Sequence, residues 1–235
     1  MAYYNNEEGG HLDEQLNALH GKGRIPVCIR GPMTKQSRWQ RESQKSGVHY
    51  GKPREEDDMG RYNDASGRTG VCYTADHSVT AIAESYGRQY QKTPNKFSIG
   101  EDELSRANIC TLETTRETKT VDMDRLLPLL HITVDKVTGD NQTTTRQIVN
   151  WASNGKKGFD GVTYRSRHLP VGTCTAWWWN DGADNPLATI EMVPVSKFKD
   201  RDTACFPAGW GYNDIEGVEI ITETLDFKIT PNNPD

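Results

Sequence analysis

Long apolar runs are missing from this chain. No stretch approaches the roughly 18 residues of a membrane-spanning helix, and the N-terminal residues lack the charged-then-apolar order of a secretion signal. A soluble protein acting in a reducing cytoplasm is expected, with a specialised export route left open. Cysteine is scarce: the five residues at 28, 72, 110, 174 and 205 are odd in number and contain no C-x-x-C pair, which argues against a disulfide framework and a zinc site. Excess positive charge is missing too. With a net charge of -5, general nucleic-acid binding, which rests on Lys and Arg neutralising phosphates, is not expected. A small anionic ligand still fits, because a few placed arginines suffice for it. Hydrophobic residues make up 34% and the mean hydropathy is -0.78, so the expected core is modest and wrapped in long polar loops.

Familiar catalytic signatures are absent as well. His77 follows Asp76, but there is no Gly-x-Ser-x-Gly elbow and no nucleophilic cysteine context, so His77 reads as a helix-start residue. His131 and His168 lack metal-ligand spacing. Gly155, Gly158 and Gly161 are not followed by the Gly-Lys-Ser/Thr of a phosphate loop. The Asn141-Gln-Thr sequon reads as chance.

A length of 235 residues suits one domain of generous size. Residues 1–10 look frayed, and Asp13 is placed to cap a short helix with Leu12, Leu16 and Leu19 on one face. Ile25 to Arg30 alternates as a strand. Residues 31–60 carry no apolar period and read as loop, the acidic run Arg54–Asp58 being a solvated part of it. A turn through Gly67 and Gly70 leads to the strand Val71-Cys-Tyr-Thr74. Asp76 or Ser78 then caps a helix over Val79–Tyr86, followed by loop over 87–105. Strands are expected at 107–112 and 118–121, and helices after Asp122, kinked at Pro128, and over 143–153. Val162, Tyr164 and Ser166 share one face of a further strand. Cys174–Trp179 reads as a buried strand with one exposed tryptophan, and Leu187–Val195 and Val218–Ile229 as two more alternating stretches. The class is α+β.

Chemistry enters through a spaced set of polar residues at the ends of these elements: Arg30, Arg61, Tyr73, Glu84 and Ser166. The strongest local signal is Tyr73-Thr-Ala-Asp-His-Ser-Val-Thr-Ala-Ile-Ala-Glu84, an aromatic eleven residues before a helical carboxylate with small residues between. Together with Gly60-Arg-Tyr-Asn63 upstream and Gly161-Val-Thr-Tyr-Arg-Ser-Arg167 downstream, it resembles the RES-domain family of bacterial NAD-consuming toxins. The resemblance runs through about residues 24–180. It implies an ADP-ribosyltransferase-like mixed β core with a few flanking helices and long polar loop insertions. A polar segment with a short helix would precede the core at 1–23, and a β-rich extension packed on the same domain would follow at 181–235. Arg24, Arg38 and Arg41 stand beside Arg30 as candidates for the family's first arginine. The literal tripeptide Arg41-Glu-Ser43 is a coincidence in a stretch that looks like an exposed insertion.

The residue types suit cleavage of the nicotinamide–ribose bond of NAD+, whose transition state places positive charge on the ribose. A fixed Glu84 would steady that cation, as carboxylates do in glycosidases. Paired guanidinium groups, Arg30 and Arg61, would grip the diphosphate. Tyr73 would lie against the nicotinamide with its hydroxyl near the ribose, and Ser166 would hydrogen-bond phosphate or ribose. The resemblance thus implies NAD+ as substrate without a metal, a neutralising antitoxin or immunity protein as partner, and no nucleic acid or membrane; an oligomer is possible. Transfer of ADP-ribose to a protein, or a catalytically silent nucleotide-binding module, are the alternatives.

Overall fold

The computed structural model describes residues 6–40, 46–52, 59–64, 66–93, 96–139, 141–179 and 182–231. The acidic run 54–58, Arg41 and the Arg41-Glu-Ser43 tripeptide lie outside them. In chain order the strands are β1 (Val27–Arg30), β2 (Lys35–Gln40), β3 (Gly70–Ala75), β4 (Ser98–Gly100), β5 (Asn108–Thr114), β6 (Thr118–Asp122), β7 (Gly161–Arg165), β8 (Thr173–Trp179), β9 (Leu187–Pro194), β10 (Lys199–Asp200), β11 (Ile215–Glu216) and β12 (Lys228–Thr230). The α-helices are α1 (Asn6–Gly21), α2 (Ser78–Lys92), α3 (Glu101–Arg106), α4 (Met123–Leu129), α5 (Asp135–Thr138), α6 (Thr143–Ala152) and α7 (Gly217–Glu219). This is a mixed α+β fold.

Eight strands form one sheet in the order β1-β6-β7-β8-β3-β2-β5-β9. Only the β6–β7 pairing is parallel; the other neighbours run antiparallel. The sheet is nearly severed in its middle. β3 is fully paired to β8 over Gly70–Ala75, and β2 is fully paired to β5 over Lys35–Gln40. Yet β2 and β3 share the single register pair Ser37↔Ala75. From Thr74 back to Gly70 the edge of β3 turns away from β2, and a slot opens between two half-sheets. Gly51 reaches the freed edge and exchanges two backbone hydrogen bonds of 3.0 Å with Val71.

Three apolar clusters hold the halves. Leu12 and Leu16 of α1, Leu126 of α4 and Ile148 of α6 pack on Val121, Val162 and Ala176 of the five-stranded half. Helix α2 straddles the seam: Val79, Ile82 and Tyr86 pack with Trp39 and Ile109 from one half and Ala75 and Cys174 from the other. On the opposite face lie Cys72, Cys110, Leu112, Trp177 and Leu187. The C-terminal segment joins the α2 cluster through Val195, Cys205, Ile220, Ile221 and Phe227.

Several expectations need correction. Asp13 lies inside α1, which begins at Asn6, because Leu12 and Leu16 need a full turn of helix on either side to seat them in the core. Residues 31–60 contain β2, whose sequence Lys-Gln-Ser-Arg-Trp-Gln shows little apolar alternation, since one of its faces is polar. The stretch 87–105 holds the end of α2, β4 and α3. Neither Asp76 nor Ser78 caps α2: the N-cap is His77, without a side-chain bond. Asp76 instead accepts from Gln36 at 3.0 Å, and Ser78 Oγ donates to Asp200 at 2.5 Å. The C-terminal alternation misleads as well. A capping box between Glu216 and Glu219 starts α7, which continues as a π-helical turn over Ile220–Thr224, so only Lys228–Thr230 remain a strand. Trp177 and Trp178 are buried and Trp179 is partly exposed.

Candidate active site

A cavity of about 840 Å³ opens along the slot. Arg61, Tyr73 and Glu84 line it together, arriving from a turn, from β3 and from α2. Arg38 of β2 lines it too.

Glu84 is fixed by the chain that follows β7. Its Oε1 accepts from Ser166 Oγ at 2.6 Å, from Arg167 N at 2.9 Å and from His168 N at 3.4 Å. Among the described residues no hydrogen bond falls on Oε2. Ser166 earns its position through a compact turn, in which its Oγ accepts from Leu169 N at 2.9 Å. The serine does not line the cavity. Its one proton points at Glu84, so it holds the carboxylate rather than a phosphate or ribose. Ala81, one turn before Glu84 on α2, leaves room for the cavity wall at that position.

Tyr73 is equally committed. Its hydroxyl donates to Asn63 Oδ1 at 2.8 Å and accepts from Tyr62 N at 3.0 Å, pinning the Gly60–Asn63 turn against β3. Gly60 has no alternative there: a Cβ would meet the Tyr73 hydroxyl at 2.5 Å and Asn63 Oδ1 at 2.8 Å. Burial raises the Tyr73 phenol well above its ordinary value, so it stays protonated. Its hydroxyl therefore organises the wall, while its ring remains a cavity surface.

Arg61 extends from that turn to the end of α5. Its Nη1 donates to the carbonyls of Val137 and, at 3.0 Å, Gly139, and its Nη2 to the carbonyl of Thr138 at 3.0 Å. A guanidinium has five N–H donors, so part of its capacity is left. Burial, the largest influence, lowers its pKa, but an arginine stays charged regardless.

Arg30 does not join them. It is absent from the cavity wall, and its guanidinium donates to Thr163 Oγ1 at 3.0 Å and sits 3.5 Å from Asp76, on the opposite face of the sheet. The reason is register: Cys28 and Arg30 face the Thr120 and Thr163 side of the sheet, away from α2. Of the other candidates, Arg38 occupies the slot, donating from Nη1 to the Gly47 carbonyl at 2.6 Å.

Two wall residues went unnoticed as site candidates in the sequence. Trp39 follows Arg38, is 6% exposed, and its Nε1 is a buried donor without a hydrogen-bond partner among the described residues. His168 lies beside Glu84, its ring occupying the space that a side chain at Gly87 would need. Burial first, and then the Arg167 and Arg61 charges, push its imidazole below 6.5 against the pull of Glu84. The Gly in the helix at 87 was the available signal, since an interior helical glycine often marks a close approach. Among the described residues no cluster of three His, Cys, Asp or Glu side chains could hold a metal ion.

The sequence model described as the RES domain matches residues 28–196, from β1 through β9. No curated protein matches. Among solved structures, a chain from the M. tuberculosis MbcT-MbcA toxin-antitoxin complex superposes with a TM-score of 0.56 at 16% identity, covering 93% of this chain and 98% of its own. At that identity the likeness is one of fold.

Proposed function

The chain belongs to the RES domain family, and on that premise we propose that it is an NAD+-degrading toxin that breaks the bond between nicotinamide and ribose. The observation that carries this reading is the convergence of Arg38, Arg61, Tyr73 and Glu84 on one cavity across the split sheet.

Departure of neutral nicotinamide leaves an oxocarbenium-like ribose. Glu84, locked by three donors on one oxygen, presents its other oxygen and its charge to that cation. Preorganisation matters here, because a carboxylate already held by the fold need not reorganise as charge develops, and such a group contributes on the order of 3 kcal/mol. Arg38 and Arg61, from the two sides of the slot, grip the diphosphate and keep the scissile bond over Glu84. The Tyr73 ring supplies a flat surface for the nicotinamide. Ser166 is a positioning residue acting through Glu84.

The acceptor of ADP-ribose is water or phosphate in this reading, and the neutralising partner is an antitoxin or immunity protein; the fold's likeness to a member of a toxin–antitoxin complex supports such a partner. Purified protein incubated with NAD+ should release free nicotinamide. Label reaching a protein only when cell extract is added would instead indicate an ADP-ribosyltransferase. Nucleotide binding without turnover that survives Glu84→Ala would indicate a silent binding module.

A further inference from the structure

Water is a weak nucleophile until a base takes its proton. Hydrolysis of NAD+ forms a bond from the water oxygen to the ribosyl carbon and breaks the bond from that carbon to the nicotinamide nitrogen. The bonding pair leaves with nicotinamide, which departs neutral and needs no acid. One proton remains on the attacking oxygen. Glycosidases that add water directly give its removal to a second carboxylate. Here Glu84 is the one carboxylate on the cavity wall among the described residues, and its charge serves the cation. Burial raises the phenols of Tyr62, Tyr73 and Tyr164 and the thiol of Cys174, so all four stay protonated. Of the two imidazoles on the wall, His49 sits within reach of Arg38, whereas His168 sits within reach of Glu84.

His168 is held by the same turn that fixes Glu84. Over residues 166–172 the backbone closes on itself: Ser166 N donates to the Gly172 carbonyl at 2.9 Å, and Gly172 N to the Leu169 carbonyl at 2.8 Å. The turn lies along one face of α2, where Thr80, Glu84 and Gly87 recur at helical spacing. All three meet it. A Cβ on Gly172 would stand 2.2 Å from Thr80 Oγ1, and His168 N donates to Glu84 Oε1 at 3.4 Å. A Cβ on Gly87 would stand 2.1 Å from His168 Cγ and 2.4 Å from its Nδ1. The ring thus meets the helix with Cγ and Nδ1, and Nε2 is the nitrogen farther from α2. His168 lines the cavity, and among the described residues neither ring nitrogen has a hydrogen-bond partner. The charged groups acting on it are Glu84 on α2, Arg61 on the Gly60–Asn63 turn and Arg167 on its own turn. Burial outweighs the pull of Glu84, and the two arginines push the same way as burial, so the ring is neutral near pH 7.

We propose that His168 is the general base of the water reaction, its Nε2 taking the proton from a water that attacks the ribosyl carbon held over Glu84. This rests on the function proposed above and adds a catalytic residue to that site. The proton then passes to solvent, so NAD+ and water give ADP-ribose, nicotinamide and a proton. Hydrogenphosphate brings an oxygen that is already anionic and does not need the base. His168 therefore separates the two acceptors.

The test measures nicotinamide release and product identity with the full chain, first in phosphate-free buffer and then at saturating phosphate. His168→Gln should lower ADP-ribose formation about a hundredfold, the lower end of what a positioned base contributes. Formation of phosphorylated ADP-ribose should fall far less, and together with thermal unfolding it reports whether the variant is folded. In wild type the water rate should drop between about pH 7 and 5, because the base must be unprotonated, and His168→Gln should lose that limb. Equal losses with both acceptors, no loss with water, or an acid limb that persists in the variant overturns the assignment while bond cleavage stands. Wild-type turnover that occurs only with phosphate overturns it too, since no water step then exists. If wild type releases no nicotinamide with either acceptor, the proposed activity itself fails and the base falls with it.

Discussion

Glu84→Gln is the sharpest perturbation this site offers, because the geometry separates the carboxylate's structural duty from its charge. All three donors that hold Glu84 converge on Oε1: Ser166 Oγ at 2.6 Å, Arg167 N at 2.9 Å and His168 N at 3.4 Å. A glutamine can turn its carbonyl oxygen toward the same donors and keep the 166–168 turn in place. Its amide nitrogen then occupies the Oε2 position, where it presents a partial positive charge to the ribosyl cation instead of a full negative one. Fold and substrate grip should survive while the transition state loses its counter-charge. The loss of one preorganised electrostatic group is about 3 kcal/mol, which at about 1.4 kcal/mol per decade is at least a hundredfold in kcat. KM should change by no more than a few-fold, and thermal unfolding should move by only a few degrees. Nicotinamide release followed by chromatography, with and without added phosphate, reads the effect directly. A folded Glu84→Gln protein that turns over at near the wild-type rate would refute the assignment of charge stabilisation to this carboxylate.

Other outcomes follow from the same geometry. Arg38→Ala should raise KM for the dinucleotide at least tenfold, whereas Arg30→Ala should lower the unfolding temperature by removing one of the partners of Thr163 and of Asp76 and leave KM within about twofold; the reverse pattern in steady-state kinetics would restore Arg30 to the site. Gly60→Ala drives a methyl onto the Tyr73 hydroxyl and Asn63; overpacking of this kind costs about 1–3 kcal/mol, so calorimetry should show a midpoint several degrees lower. Burial, the largest cause in each case, holds the His49 and His168 imidazoles below 6.5 in the folded chain. The folded state therefore binds fewer protons than the unfolded one, and stability should be lost as pH falls below about 6.5. His168→Gln should flatten that loss between pH 7 and 5, and a midpoint that rises on acidification would contradict it.

What could be read from the sequence depended on whether local pattern and tertiary duty agreed. The Tyr73-to-Glu84 stretch is a strand, a tight turn and a helix in immediate succession, so its residues could be placed from short-range rules alone. The same holds for Gly60–Asn63, where the glycine marks a close approach. The first arginine could not be chosen that way. Ile25–Arg30 advertises a strand through alternating apolar residues, but its register turns Arg30 toward Thr120 and Thr163. Arg38 lies in Lys35–Gln40, a strand disguised by Gln36 and Gln40, both buried polar residues; Gln36 bonds Thr74 and Asp76, and Gln40 accepts from the Cys110 thiol. Only the long-range pairing with β5 makes it a strand. Ser166 was visible as a residue and its partner was not, since the 82-residue separation from Glu84 leaves no local trace. At the C-terminus, alternating Val218, Ile220 and Thr222 suggested extended chain, and the Glu216–Glu219 capping box decided for helix.

The lone Ser37↔Ala75 rung has a mechanical meaning. Two half-sheets that share one backbone rung, with side chains packed across the join on both faces, can splay about that seam with little loss of backbone pairing, and the dinucleotide would bridge it, touching Arg38 on one flank and Arg61 on the other. Substrate would thus act as a temporary cross-brace. Amides flanking the seam should exchange with solvent more slowly once it is occupied, and a protein that wedged or clamped the seam from outside could silence the enzyme without ever entering the pocket.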